Sequence, residues 1–104
     1  MDVRRIIKNY IWDNYSCTPT YYSMKRNYIM EYSWEHWACD EILYRYALLP
    51  NEDPINVIRG YNDEMRHMLD IAKKHNNDNP AAVILFTTAL AVGQDIEELL
   101  RAMK

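Results

Sequence analysis

One trio of side chains has the types and spacing to bind a metal ion or to activate a nucleophile. His36, Cys39 and Asp40 follow one another at steps of three and four residues, so a helix would bring them to one face. The trio could hold zinc with a fourth ligand from elsewhere, and His36 beside Cys39 could form an activated thiol. No motif supplies that ligand, a second base or an oxyanion site. The sequence therefore favours a Cys39 that packs as a small hydrophobe, with no cofactor.

A second pair with chemical potential is Glu64 and His67, which a helix would also place side by side. Di-iron helical bundles use this Glu-x-x-His step, but they need two such pairs and two further inward-pointing carboxylates. This chain has one pair. Its neighbours at helical spacing, Asp63, Asp70 and Lys74, indicate a solvated polar face. We therefore expect no metal and no catalysis at this position.

The first thirty residues combine positive charge with aromatic rings. They carry a net charge of +3, whereas the rest of the chain carries −6. The cations are Arg4, Arg5, Lys8, Lys25 and Arg26. Cations interleaved with aromatic rings suit phosphate contact and base stacking, so nucleic-acid association is one hypothesis. We rank it below protein–protein interaction, because the rest of the chain is acidic and would repel nucleic acid, and because the sequence has no recognition-helix signature.

Aromatic residues are abundant, with three tryptophans and nine tyrosines in 104 residues. Most are expected in the core, but a small domain cannot bury them all. Exposed Trp and Tyr side chains are common energetic anchors of protein interfaces. Trp37 and Tyr44 lie off the main apolar stripe of their segment, so we predict that they contact a protein partner or a second copy of the chain.

The elements that position these residues are marked by prolines. Thr18-Pro19, Asp53-Pro54 and Asn79-Pro80 each place proline after a residue that can cap a helix, and proline suits the first helical position. Apolar residues then recur at three- and four-residue steps. These signals predict an all-α, compact four- or five-helix bundle, with residues 1–104 forming a single helical domain and an apolar C-terminal helix at its centre.

Expected helix bounds follow from the same signals. Helices are predicted over residues 2–15, 19–49, 54–75 and 80–103. The second region is too long for one ordinary helix, and a restart at Ser33 would give a fifth helix over residues 34–49; a single long helix is the alternative. In the last region the apolar stripe Phe86, Leu90, Gly93, Ile96, Leu100 and Met103 keeps its phase through Gly93. One long helix with Gly93 facing inward is therefore expected, with a break at Gly93 as the alternative.

Residues 81–92 are apolar around the whole helical wheel. Twelve helical residues span roughly 18 Å, short of the ~30 Å hydrocarbon core of a bilayer, so a buried core helix is expected and a membrane span is not. We expect this stretch to be hidden from water on all sides, by the other helices or by a second copy. Any side left bare would mark an interface.

Composition and termini place the protein in a broad class. The chain is 49% hydrophobic and 26% charged, which is ordinary for a globular domain. Cys17 and Cys39 form no metal-binding or redox doublet, so two reduced thiols are expected. The first residues carry two arginines and Lys8 soon interrupts the apolar stretch, which does not resemble a signal peptide. The sequence therefore predicts a cytoplasmic protein.

Two stretches carry a resemblance. Residues 86–100 (FTTALAVGQDIEELL) and residues 37–43 (WACDEIL) resemble small uncharacterised helical proteins of gut-dwelling Gram-positive bacteria and their mobile elements. The resemblance covers about the C-terminal two-thirds of the chain, implies no known activity and transfers no functional residue. We expect a bacterial or phage-encoded interaction protein that self-associates and has no catalytic activity.

Overall fold

The computed structural model describes residues 2–14, 34–75 and 79–103, and all the regular structure in these ranges is α-helical. The four helices are α1 (Val3–Asn14), α2 (Trp34–Leu48), α3 (Pro54–Lys74) and α4 (Pro80–Ala102). The predicted all-α bundle is confirmed. Within the described ranges α2 begins where the shorter helix after Ser33 was expected, while the question of a helix over residues 19–33 lies outside them.

Local capping explains where the helices begin. The carboxylate of Asp53 accepts a hydrogen bond from the Ile55 N–H at 3.0 Å, and Pro54 fills the first helical position of α3, as predicted. Asn79 precedes α4 in the same way, but its side chain makes no capping hydrogen bond. Its backbone carbonyl instead accepts from the Ala82 N–H at 3.2 Å. The Thr18-Pro19 pair lies outside the described residues.

All four helices contribute to one core. The most extensive packing joins α3 to α4, α2 lies against both of them, and α1 packs on α2. The largest fully buried side chains are Tyr61, Ile7, Ile42, Ile58, Ile96, Val92 and Asn62. All of these positions lie on the buried faces of their helices, and among them only Asn62 has a polar amide side chain. Met103 was predicted on the buried stripe of α4 but is exposed, because it lies beyond the last helical residue.

The C-terminal helix runs unbroken through a buried Gly93 and packs against α2 and α3, so its central position is confirmed. Within one chain residues 81–92 are hidden only in part, and cover of the remaining side by a second copy stays a prediction. Ala81, Ile84 and Ala91 are exposed, while Ala89 and Val92 are buried. The reason is geometric, because the described helices that contact α4 cover only part of its circumference. No helix in the described ranges has the length and apolarity needed to cross a bilayer.

Candidate functional site

Two residues of the first candidate metal site, Cys39 and Asp40, lie in different surroundings. Cys39 is buried in the core, whereas the neighbouring Asp40 is exposed. The side chain of His36 is outside the described part of the chain. Among the described residues, no three His, Cys, Asp or Glu side chains converge to hold a metal ion. The expected packing of Cys39 as a small hydrophobe is confirmed.

The residues of the second candidate pair, Glu64 and His67, have different surroundings. Glu64 forms an ion pair with Arg45 of α2, with a distance of 2.6 Å between carboxylate and guanidinium. The Arg45 guanidinium also lies over the Tyr61 ring, 5.1 Å from its centroid. His67 and Asp70 are exposed on the polar side of α3, as predicted. Glu64 therefore ties α3 to α2.

Three of the five N-terminal cations are described, and they share one exposed arc of α1. Arg4, Arg5 and Lys8 line a surface depression of about 360 Å³ together with Leu43 and one acidic residue, Asp2. None of the three forms an ion pair with a described residue. The other two predicted contacts, Lys25 and Arg26, lie outside the described residues. A small basic surface is therefore present on α1.

The second helix is apolar on two sides. Its inner side buries Ala38, Cys39, Ile42 and Tyr46 in the core. Its other side carries a row of residues at three- and four-residue steps, which we call the outer stripe of α2: Trp34, Trp37, Glu41, Tyr44 and Leu48. A surface helix of a monomeric protein usually has one apolar side and one polar side. The outer stripe therefore requires an explanation that core packing does not supply.

The outer stripe exposes large apolar side chains to solvent. Tyr44 is 62% exposed and Leu48 is 59% exposed, while Trp34 is exposed to a smaller extent. Glu41, Tyr44, Arg45, Leu48 and Leu49 line a shallow groove of about 360 Å³.

Of the two predicted anchors, Tyr44 lies fully on this surface. Trp37 is half-buried and packs against the edge of the core. Sequence reasoning missed Trp34 and Leu48, although both continue the helical spacing of Trp37 and Tyr44 in either direction.

A second feature that sequence reasoning missed is a polar contact inside the core. Asn62 is 1% exposed, and its amide nitrogen donates a hydrogen bond to Oε1 of Glu97 at 3.0 Å. Its Oδ1 atom is buried and has no hydrogen-bond partner among the described residues. That oxygen would overlap a Cβ atom placed on Gly93. Asn62 therefore fits against α4 only because residue 93 is glycine.

Glu97, which accepts the hydrogen bond from Asn62, is also paired with a cation. Arg101 donates to Oε2 of Glu97 at 2.9 Å, one turn along α4. The Arg101 hydrogen bond is the main reason that the pKa of Glu97 is lowered from its usual value, and the Asn62 hydrogen bond adds to it. The ionised Glu97 thus links the buried amide of α3 to the end of α4. This arrangement holds two helices together and contains no nucleophile or open cavity.

The described geometry therefore offers two surfaces for binding, the outer stripe of α2 and the basic arc of α1, and no constellation for catalysis among the described residues. Comparison of the chain with protein-family models, curated proteins and solved structures finds no match.

Proposed function

We propose that this protein is a non-catalytic interaction protein that self-associates, and that the outer stripe of α2 is the surface through which a second copy binds. The observation that carries the proposal is the exposure of Tyr44 and Leu48 beside two tryptophans on a helix whose opposite side is already buried. A few large side chains, tryptophan and tyrosine prominent among them, supply most of the binding free energy at interfaces. Water contact with such a row is unfavourable, and a second copy would remove it.

The bare side of α4 is the competing surface, and its composition makes it the poorer one. Ile84 is 55% exposed, but Ala81 and Ala91 beside it offer little apolar area. The outer stripe of α2 has aromatic residues with a polar handle, which suits a surface that is wet in the monomer and buried in a dimer. The proposal therefore assigns self-association to α2 and leaves the bare side of α4 exposed to solvent.

The substitution Leu48→Glu is expected to weaken self-association at least about tenfold, because it would bury a charge against apolar side chains of the second copy. The measurement is size-exclusion chromatography with light scattering over a concentration series that extends to high micromolar protein. The unsubstituted chain is expected to shift from monomer to dimer over this range. Circular dichroism of the variant checks that the helices remain folded.

A matched control is Ile84→Glu, which places the same charge at a residue of nearly equal exposure on α4. This variant is expected to self-associate like the unsubstituted chain. Equal weakening by both substitutions, or by Ile84→Glu alone, would show that the surface is wrongly assigned. An unsubstituted chain that stays monomeric at the highest concentration would contradict self-association itself.

Nucleic-acid association is the second candidate function, and the cluster of Arg4, Arg5 and Lys8 on one exposed arc is the observation that favours it. Three adjacent cations without ion-pair partners among the described residues can neutralise phosphates. The acidic charge of the remaining chain opposes this binding. We therefore propose that the basic arc binds nucleic acid weakly, in a salt-sensitive way and without sequence specificity.

This second candidate predicts binding to a single-stranded oligonucleotide at low salt, measured by fluorescence anisotropy. With three phosphate contacts, the logarithm of the association constant should fall with the logarithm of salt concentration with a slope of about −2. Replacing Arg4, Arg5 and Lys8 by alanine should abolish binding. The same replacement of Lys73 and Lys74, exposed on α3, should not. No binding of single strands or duplex at low salt would rule the candidate out.

A further inference from the structure

The geometry of the outer stripe points to the way in which two copies meet, given the self-association proposed above. We propose that α2 pairs with α2 of the second copy in antiparallel orientation, about a two-fold axis that passes between Glu41 and Tyr44. A closed dimer of identical chains uses the same surface patch twice, so this patch must be complementary to itself. The spacing and the charges of α2 both meet that requirement in the antiparallel orientation.

The spacing argument uses four residues of the stripe. Trp37, Glu41, Tyr44 and Leu48 are separated by four, three and four residues, and these steps read the same in both directions. An antiparallel copy therefore places its Leu48 at the level of Trp37, and its Glu41 at the level of Tyr44. The tyrosine hydroxyl can donate to the carboxylate, so the one charged residue of the stripe gains a partner.

The charges along α2 select the same orientation. The first half of the helix carries Glu35, Asp40 and Glu41, whereas the charged residue of the second half is Arg45. Parallel pairing would align acidic residues with acidic residues and would also align the two helix dipoles. Antiparallel pairing sets the acidic half of each helix beside the half that carries Arg45. Like-charge contact is thereby avoided at both ends, while Arg45 keeps its ion pair with Glu64 of its own chain.

A spin-label experiment on the full chain tests the orientation. Labels are attached at Glu35→Cys or Ala47→Cys, two exposed positions near opposite ends of α2, in a Cys17→Ser background, since buried Cys39 is protected from labelling. In the antiparallel pair, two labels at residue 35 are separated by about 22 Å along the helix axis. A label at residue 35 and one at residue 47 of the second copy are separated by only about 5 Å along it.

The expected result is therefore a shorter distance in the mixture of the two labelled chains than in the chain labelled at residue 35 alone. The reverse order would overturn the antiparallel proposal while leaving self-association through α2 intact. Absence of any intermolecular coupling, at concentrations where the chain is dimeric by light scattering, would move the contact away from α2 and overturn both. Adding Leu48→Glu to the labelled chains should abolish the coupling in every sample.

Discussion

Gly93→Ala is expected to destabilise the protein by about 1–3 kcal/mol, although alanine is the better helix former by up to about 1 kcal/mol. The added methyl group would overlap Oδ1 of Asn62 and would lie 3.2 Å from Cδ2 of Tyr61. Neither side chain can move away at no cost, because Asn62 is hydrogen-bonded to Glu97 and Tyr61 is fully buried. Helices α3 and α4, the most extensively packed pair of the described helices, must then separate at this point. The measurement is the free energy of unfolding in urea, followed by circular dichroism.

The chain contains its own matched control for this prediction. Gly60 is also helical, but apart from its chain neighbours and the nearby backbone of its own helix, no atom of the described residues lies within 4 Å of the position that its Cβ would take. Gly60→Ala should therefore stabilise the protein by roughly 0.5–1 kcal/mol through helix propensity alone. Opposite signs for the two substitutions are the expected outcome. Stabilisation by both substitutions would show that α3 and α4 do not approach closely at Gly93.

A double substitution identifies which neighbour is responsible. Asn62→Ala removes the oxygen that the new methyl group would meet, so Gly93→Ala should cost less in that background than in the unsubstituted chain. The expected interaction free energy is about 1 kcal/mol, within the range seen for residues in direct contact. Additive effects would indicate that the methyl group is opposed by Tyr61 or by backbone and not by Asn62.

The helices were predictable because their signals are local. Asp53 and Pro54 mark the start of α3 through a side chain that bonds two residues away, and the stripe from Phe86 to Leu100 keeps its phase along α4. These features need no knowledge of the rest of the fold. The inward position of Gly93 followed from the same phase. The identity of the group that contacts it did not, because helix pairing is not encoded in one helix alone.

The features that sequence reasoning missed depend on tertiary geometry. Asn62 lies on the apolar side of α3, one turn after Ile58, and its burial depends on Gly93 and Glu97, more than thirty residues further along. Similarly, the all-round apolar character of residues 81–92 indicates a preference for burial but not how many neighbours are available. The solvent-exposed Ile84 shows that the described neighbours are too few. Of the outer stripe of α2, the sequence analysis predicted Trp37 and Tyr44 but missed Trp34 and Leu48, because it considered the aromatic residues one by one and not as a row along the helix.

Above pH 10 the protein is expected to lose stability steeply, because two buried tyrosines resist ionisation. Burial raises the pKa of both Tyr46 and Tyr61 well above the usual value near 10; nearby Asp53 adds to the effect at Tyr46, and Glu41 at Tyr61. The unfolded chain therefore loses these protons at a pH where the folded chain keeps them. Stability from the two tyrosines is fully present below pH 10 and is lost as the pH rises toward their folded pKa values.

The size of this loss follows from proton linkage. Each tyrosine that stays protonated in the folded chain costs about 1.4 kcal/mol of stability for every pH unit above 10. Two such groups together remove roughly 3 kcal/mol per unit, which is a large part of the 5–15 kcal/mol typical of a domain. Urea unfolding at pH 9, 10 and 11 measures the slope. A free energy of unfolding that stays constant across this range would contradict the burial of both hydroxyl groups.

Phenylalanine substitutions distinguish the contributions of the two tyrosines. Each substitution should reduce the loss of stability above pH 10 by the share of one tyrosine, about 1.4 kcal/mol per pH unit. At neutral pH their effects should differ. The Tyr46 hydroxyl donates a hydrogen bond to the carbonyl oxygen of Pro54 at 2.6 Å, so Tyr46→Phe should cost about 1 kcal/mol. The Tyr61 hydroxyl is buried with no hydrogen-bond partner among the described residues, and the ring beneath Arg45 would remain. Tyr61→Phe should therefore cost nothing at neutral pH and should raise stability at pH 11, because it removes a buried hydroxyl group that resists ionisation in the folded chain.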